Sequence, residues 1–256
     1  MKLKHILTPA LFSGLLLWQT GIAAAEPLTV AVAANVKYAF DDLAEVFKKD
    51  TGIEVQGVFA SAGKITSQVK SGAPYDVFVS ADTEFPDTLY KEGYAVTQPR
   101  VYANGVLVLW STDPAISLEK GVAGLTAPAV AKVAIANPKV APYGRAAMKA
   151  IETAGIAAAV TPKLVYGESI TQTAQYVETG SADVGFVAKS IVVAPEMQGK
   201  GHWVEVPKSS YDPISQGVVV LKHGEETQSA NARKFVDFLF SAKARAIFTK
   251  FGYLLP

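Results

Sequence analysis

"VFASAGKITSQVKSGAPYDVFVSAD", residues 58–82, sets how the whole chain is read. Val58 and Phe59 end a β-branched and aromatic run; Ile65 and Val69 then share one face at helical spacing, and Gly72 stands where that helix would close. The run 75–80 begins a second strand. Strand, helix and strand within so few residues form the repeating unit of a parallel sheet. The same reading sets Ser61 at the junction of the first strand and the helix, where its hydroxyl is either a nucleophile or a donor to something bound.

The pattern extends in both directions. Strand-like runs are expected at 28–33, 53–59, 75–80, 106–110, 132–136, 163–166, 183–187 and 217–221. Between them Val36, Phe40, Leu43 and Phe47 fall on one helical face, as do Ile170, Ala174 and Val177, and Gly52, Gly155 and Gly180 follow helix ends. The chain is therefore α/β, with mainly parallel sheets flanked by helices. An economical layout has two lobes: 26–105 with 222–256 as the first, and 106–221 as the second, so that the chain crosses between lobes twice.

Four strand-to-helix junctions resemble one another. They hold Ala34-Asn35, Ser61-Ala62-Gly63, the run from Asn137 to Tyr143-Gly144, and Gly167-Glu168-Ser169-Ile170. In open α/β sheets ligands bind beyond the carboxyl ends of strands, so all four junctions are expected to face one cleft. Each helix start offers free N–H groups and the positive end of a helix dipole, which suits an anion. No arginine lies in these starts, and Lys37, Lys64 and Lys139 are the only lysines near them. Taken singly, Asn35, Ser61 and Ser169 also suit helix N-caps, Glu168 suits a helix start, and Tyr143 suits a packed aromatic.

Residues 1–25 read as an export leader: Lys2, Lys4 and His5 precede an apolar stretch that ends in Ala23-Ala24-Ala25. Without Lys2 and Lys4 the 24 basic residues become 22 against the same 23 acids. That balance disfavours nucleic-acid binding, which needs clustered positive charge. With no cysteine there is no disulfide, thiol chemistry or thiolate metal site.

The segments "VAVAANV" (30–36), "FASAGKITSQVKSGAPYDVFVSAD" (59–82), "IANPKVAPYG" (135–144), "ADVGFVAKS" (182–190) and the ending "FTKFGYLLP" resemble the molybdate-binding family of periplasmic ABC-importer components, within the type II periplasmic binding proteins. The resemblance runs from Leu28 to Pro256. It implies a two-lobed protein that closes on a dehydrated molybdate or tungstate ion in the cleft and delivers it to a membrane permease. It also implies a periplasmic monomer, with no cofactor and with molybdenum present only as the bound oxyanion. By the same resemblance Asn35, Ser61, the amide of Ala62, Tyr143 and the amide of Ile170 hold the ion, with Ala34 and Ser169 beside them. Ala62 replaces a second serine of the family, and Tyr143 takes the part of a tyrosine that other members carry at the position of Ala188.

Other readings compete. Ser61-x-x-Lys64 matches the serine and lysine of penicillin-recognising enzymes, but no Ser-Asp-Asn, Lys-Thr-Gly or Gly-x-Ser-x-Gly accompanies it, and the expectation is a protein that is not an enzyme. A ferric-ion site built on Tyr143 and Tyr166, or a sulfate or phosphate site, is the alternative. Glu168 is the candidate acceptor for a hydrogen phosphate proton. An amino-acid binder would need Arg100 or Arg145 at a junction.

Overall fold

The structure, a computed structural model, describes residues 26–256; the expected leader lies outside the described residues. In chain order the strands are β1 (Leu28–Ala33), β2 (Val55–Ala60), β3 (Val77–Val79), β4 (Arg100–Gly105), β5 (Leu107–Ser111), β6 (Val133–Ala136), β7 (Leu164–Gly167), β8 (Val184–Ala188), β9 (His202–Glu205) and β10 (Ile214–Val220). They form two five-stranded sheets, ordered β2-β1-β3-β10-β4 and β7-β6-β8-β5-β9. The helices are α1 (Lys37–Thr51), α2 (Ala62–Lys70), α3 (Glu84–Lys91), α4 (Pro142–Thr153), α5 (Ala157–Val160), α6 (Ile170–Glu178), α7 (Lys189–Val192), α8 (Lys222–Phe238) and α9 (Ala242–Lys250).

Period-2 alternation explains why the first sheet is covered on both faces. Val30, Val32, Val77, Val79, Val218 and Val220 join one apolar cluster with Phe40, Phe47 and Phe235 from α1 and α8. The intervening Ala31, Phe78 and Val219 join a second cluster with Ile65 of α2 and Leu89 of α3. In α1 the apolar stripe buries Phe40, Leu43 and Phe47, and Gly52 ends the helix at φ 74°, a left-handed angle that glycine adopts without a Cβ clash.

Each sheet is mixed. β1 pairs with β2 and β3, and β6 with β7 and β8, all parallel, whereas β10 and β5 run antiparallel to both of their neighbours. The chain's route gives the reason. β4 ends at Gly105 on the edge where β1 and β3 also end, and through Val106 alone it enters the second sheet as β5 from that shared edge. The strand after a crossing therefore starts where its neighbours finish. β10 enters the first sheet the same way.

This placement of β10 corrects the second lobe boundary. The sequence reading assigned 106–221 to one lobe, but Ile214–Val220 lies between β3 and β4. Periodicity shows that such a strand is buried, not which sheet buries it. The return crossing thus falls between Glu205 and Ile214. Strands β4 and β9 were not expected from the sequence at all: Arg100, Asn104 and Gly105 dilute the first, and the second is short and only half-buried.

Candidate functional site

All four junctions meet at one cavity. Ala33, Ala34 and Asn35 line it after β1, Ser61 and Ala62 after β2, Ala141, Pro142 and Tyr143 after β6, and Ile170 after β7. Ala81, following β3, adds a fifth junction. The residues come from both sheets, so the cavity lies between the lobes. Its volume, counted as room for the centre of a water molecule, is about 10 Å³, which is space for about one water.

No charged side chain lines it. Lys37 and Lys64 are exposed, as expected for residues just inside helix starts, and so is Lys139 in the loop before α4. An open groove of about 510 Å³ runs alongside, lined by Asp82, Glu84, Arg145, Lys149 and Asp212 among others. Although it is far larger, it carries both signs of charge and includes the exposed Glu84, Lys149 and Asp212. The neutral cavity, lined by buried residues, is the better site for a small dehydrated ion.

The donors differ in how far they are already used. Ser61 holds the N-cap position of α2 with 5% exposure, but its hydroxyl makes no capping bond, contrary to the expectation that it also caps the helix. Gly63 N–H, the second amide of that helix, donates across the lobes to Val140 C=O at 2.9 Å. Ser169 does cap: its oxygen accepts from Gln172 N–H at 3.2 Å, and it does not line the cavity. Ala34 lines it, and its C=O accepts from Thr171 Oγ1 of the other lobe at 3.2 Å.

Asn35 is not a helix cap, because a short 3₁₀ turn, Ala34–Val36, precedes α1. Its side-chain Nδ2 donates to Gln216 Oε1 (2.9 Å) and to the Tyr253 hydroxyl (3.0 Å), so both amide hydrogens are spent within the protein. Asn35 Oδ1 is buried with no donor among the described residues. Its backbone C=O accepts from Ser190 Oγ (2.7 Å) and the Tyr253 hydroxyl (2.8 Å).

Tyr143 is 2% exposed, and its oxygen accepts from Gln216 Nε2 at 3.1 Å. Burial first, and then the neighbouring Tyr253, push its phenol well above the ordinary value of 10.0, so it stays a protonated donor. Gly105 makes room for it, since a side chain there would collide with the Tyr143 hydroxyl. Ala188 is buried at the end of β8 and does not line the cavity.

The groups weighed for other chemistry lie elsewhere. Lys64 is exposed, whereas Ser61 is buried. Tyr166 is 47% exposed and absent from the cavity that Tyr143 borders. No group of three or more His, Cys, Asp or Glu suited to a metal ion occurs among the described residues. Glu168 is exposed, Arg100 pairs with Asp237 at 2.7 Å, and Arg145 pairs with Asp82 and, at 3.3 Å, with Glu84.

Sequence reasoning missed Gln216, Tyr102, Gly105 and Ala81. Gln216 had a usable signal: a lone amide in the otherwise apolar run "ISQGVVV" must be hydrogen-bonded if that strand is buried. Ala81 and Gly105 carry no polar group, and their importance lies in what their small size admits.

The profile of the bacterial extracellular solute-binding proteins matches residues 28–254. The molybdate-binding protein ModA of Rhodobacter capsulatus is 42% identical over 233 residues, 91% of this chain and 90% of the relative. That of Azotobacter vinelandii is also 42% identical, over 90% of this chain and 91% of the relative. The solved periplasmic molybdate-binding protein of A. vinelandii superposes with a TM-score of 0.83 at 34% identity, covering 90% of this chain and 99% of the other.

Proposed function

We propose, from the premise that this chain belongs to the bacterial extracellular solute-binding proteins and within them to the ModA group, that it captures molybdate, and tungstate with it, in the periplasm and hands the ion to the membrane permease of an ABC importer. It does so as an exported monomer, with no cofactor and no reaction catalysed. The observation that carries this reading is a small buried cavity between two lobes, lined by five strand-to-helix junctions and by no charged side chain.

Ser61 and Tyr143 supply hydroxyls, and the amides of Asn35, Ala62 and Ile170 supply N–H groups at chain turns and helix starts. A bare ion costs tens of kcal/mol to bury without partners. Several charge-assisted hydrogen bonds offset that cost, each worth about 1.5–3 kcal/mol. Size then selects. Sulfate has the same shape and charge with shorter bonds, and donors spaced for the larger ion leave it with longer hydrogen bonds. The exposed position of Glu168 removes it as the acceptor for a hydrogen phosphate proton.

A ferric-ion site is disfavoured by the exposure of Tyr166. Melting of the mature chain against molybdate, tungstate, sulfate, phosphate and Fe³⁺ tests the assignment, because a ligand that binds the native state raises Tm by mass action. Molybdate and tungstate are expected to stabilise at concentrations where sulfate and phosphate do not. Equal or better stabilisation by sulfate would replace the ligand while keeping the oxyanion class, and a coloured iron complex would replace both.

A further inference from the structure

The direction of every hydrogen bond around Asn35 follows from one backbone carbonyl. Asn35 C=O can only accept, and it takes the Tyr253 O–H at 2.8 Å. The single Tyr253 hydrogen is thereby used, so the Asn35 side-chain atom 3.0 Å from the Tyr253 oxygen must be the donor Nδ2. Nδ2 also lies 2.9 Å from a side-chain atom of Gln216, which must then be the acceptor Oε1. Oε1 additionally takes the Tyr102 O–H at 2.8 Å, and that O–H is shared with Ser80 C=O at 2.9 Å. What faces the Tyr143 oxygen at 3.1 Å is therefore Nε2, a donor.

A hydroxyl whose oxygen already accepts must turn its hydrogen elsewhere. No acceptor lies at hydrogen-bond geometry from the Tyr143 O–H among the described residues, although the Asn35 side chain is near enough to act on its phenol, and Tyr143 borders the cavity. Gln216 itself does not line it. We propose that Gln216 is a positioning residue: it holds Tyr143 with its hydrogen toward the cavity, and because Gln216 sits on β10 while Tyr143 starts α4, it sets that direction only when the two lobes meet. This rests on the proposed oxyanion function and goes beyond it by naming a residue that decides the polarity of a donor without touching the ion.

The test is Gln216→Glu, with molybdate as the probe, titrated between pH 5.5 and 8 with and without Tyr143→Phe. A carboxylate only accepts, so it turns the Tyr143 hydrogen away from the cavity; a protonated carboxyl offers one acceptor and one donor, as glutamine does. The titratable groups around this position are the phenols of Tyr102, Tyr143 and Tyr253, which burial raises, together with Tyr211 and the carboxyl of Asp82. The wild-type profile measures their part.

Wild-type affinity is expected to stay nearly flat. Gln216→Glu is expected to lose at least about tenfold to a hundredfold at pH 8, the worth of one hydrogen bond to an anion with the repulsion of a nearby carboxylate added, and to recover as pH falls. Charge repulsion acts alike in both backgrounds, so in the Tyr143→Phe background the recovery shrinks by the worth of the lost bond alone, about tenfold or more. If a carboxylate at this site unfolds the protein, Gln216→Met serves, costing roughly tenfold beside Tyr143 and about threefold or less beside Tyr143→Phe. An equal response in both backgrounds overturns the inference. A wild-type protein that does not bind molybdate overturns the proposed ligand instead, and that titration precedes the variants.

Discussion

Ser61 stands at the N-cap position of α2, yet its hydroxyl bonds to nothing in that helix. A residue type favoured as a cap, in the right place and not capping, leaves its donor for the cavity that it borders. Ser61→Ala is expected to weaken molybdate binding by about 1.5–3 kcal/mol. The free protein should melt almost unchanged, because the loss of about 1 kcal/mol typical of a removed cap has no bond to come from. Calorimetry and melting together decide it: unchanged affinity would return the serine to packing. At this scale the sequence placed Ser61, Tyr143 and Ile170 at junctions, and all three border the cavity. It did not show that Asn35 Nδ2 is spent inside the protein, nor that Ser169 caps its helix without bordering the cavity. The partners of Asn35 lie more than a hundred residues away, and no local pattern encodes them.

Helix α2 carries the contact that most directly joins the lobes. Gly63 donates its N–H to Val140 C=O, and a Cβ on Gly63 would stand 2.9 Å from Val140 Cα and 3.0 Å from Phe85. Alanine in place of glycine favours a helix by up to about 1 kcal/mol in isolation. Gly63→Ala is therefore expected to leave the free protein as stable or slightly more so while weakening molybdate binding, because the added methyl props the lobes apart. Melting and titration on one sample separate the two effects, and a variant that binds as tightly as the parent would show that the lobes need not approach this closely. The helices and parallel strands were legible through their period, and the four junctions through their order. β10 was visible as a strand but was given the wrong sheet, because an apolar run looks the same whichever lobe surrounds it.

Across the whole molecule, two sheets meet along the edges at which their parallel strands end, and paired groups hold that seam. Arg145 of α4 reaches Asp82 in the turn after β3. Burial pushes the Asp82 carboxyl above its ordinary value of 3.8, against the pull of Arg145. A carboxyl raised in the folded state adds stability that is complete below its unfolded pKa and is lost as pH climbs through the folded value. Wild type should therefore gain in Tm relative to Asp82→Asn as pH falls from about 7 to about 4, the interval leading down to the unfolded carboxylate value. A Tm difference that does not change with pH would mean that the carboxyl is not raised. The cavity beside this seam contains no cation of its own. Capture then displaces no counter-ions from basic side chains, and dipoles in contact with the ion act well inside the screening length of about 8 Å at physiological salt. Molybdate titrations at about 20 mM and about 500 mM sodium chloride should agree within roughly threefold, whereas a steep fall would put a lysine or arginine within reach of the ion. A scavenger built on neutral donors works equally well in fresh water and in brine.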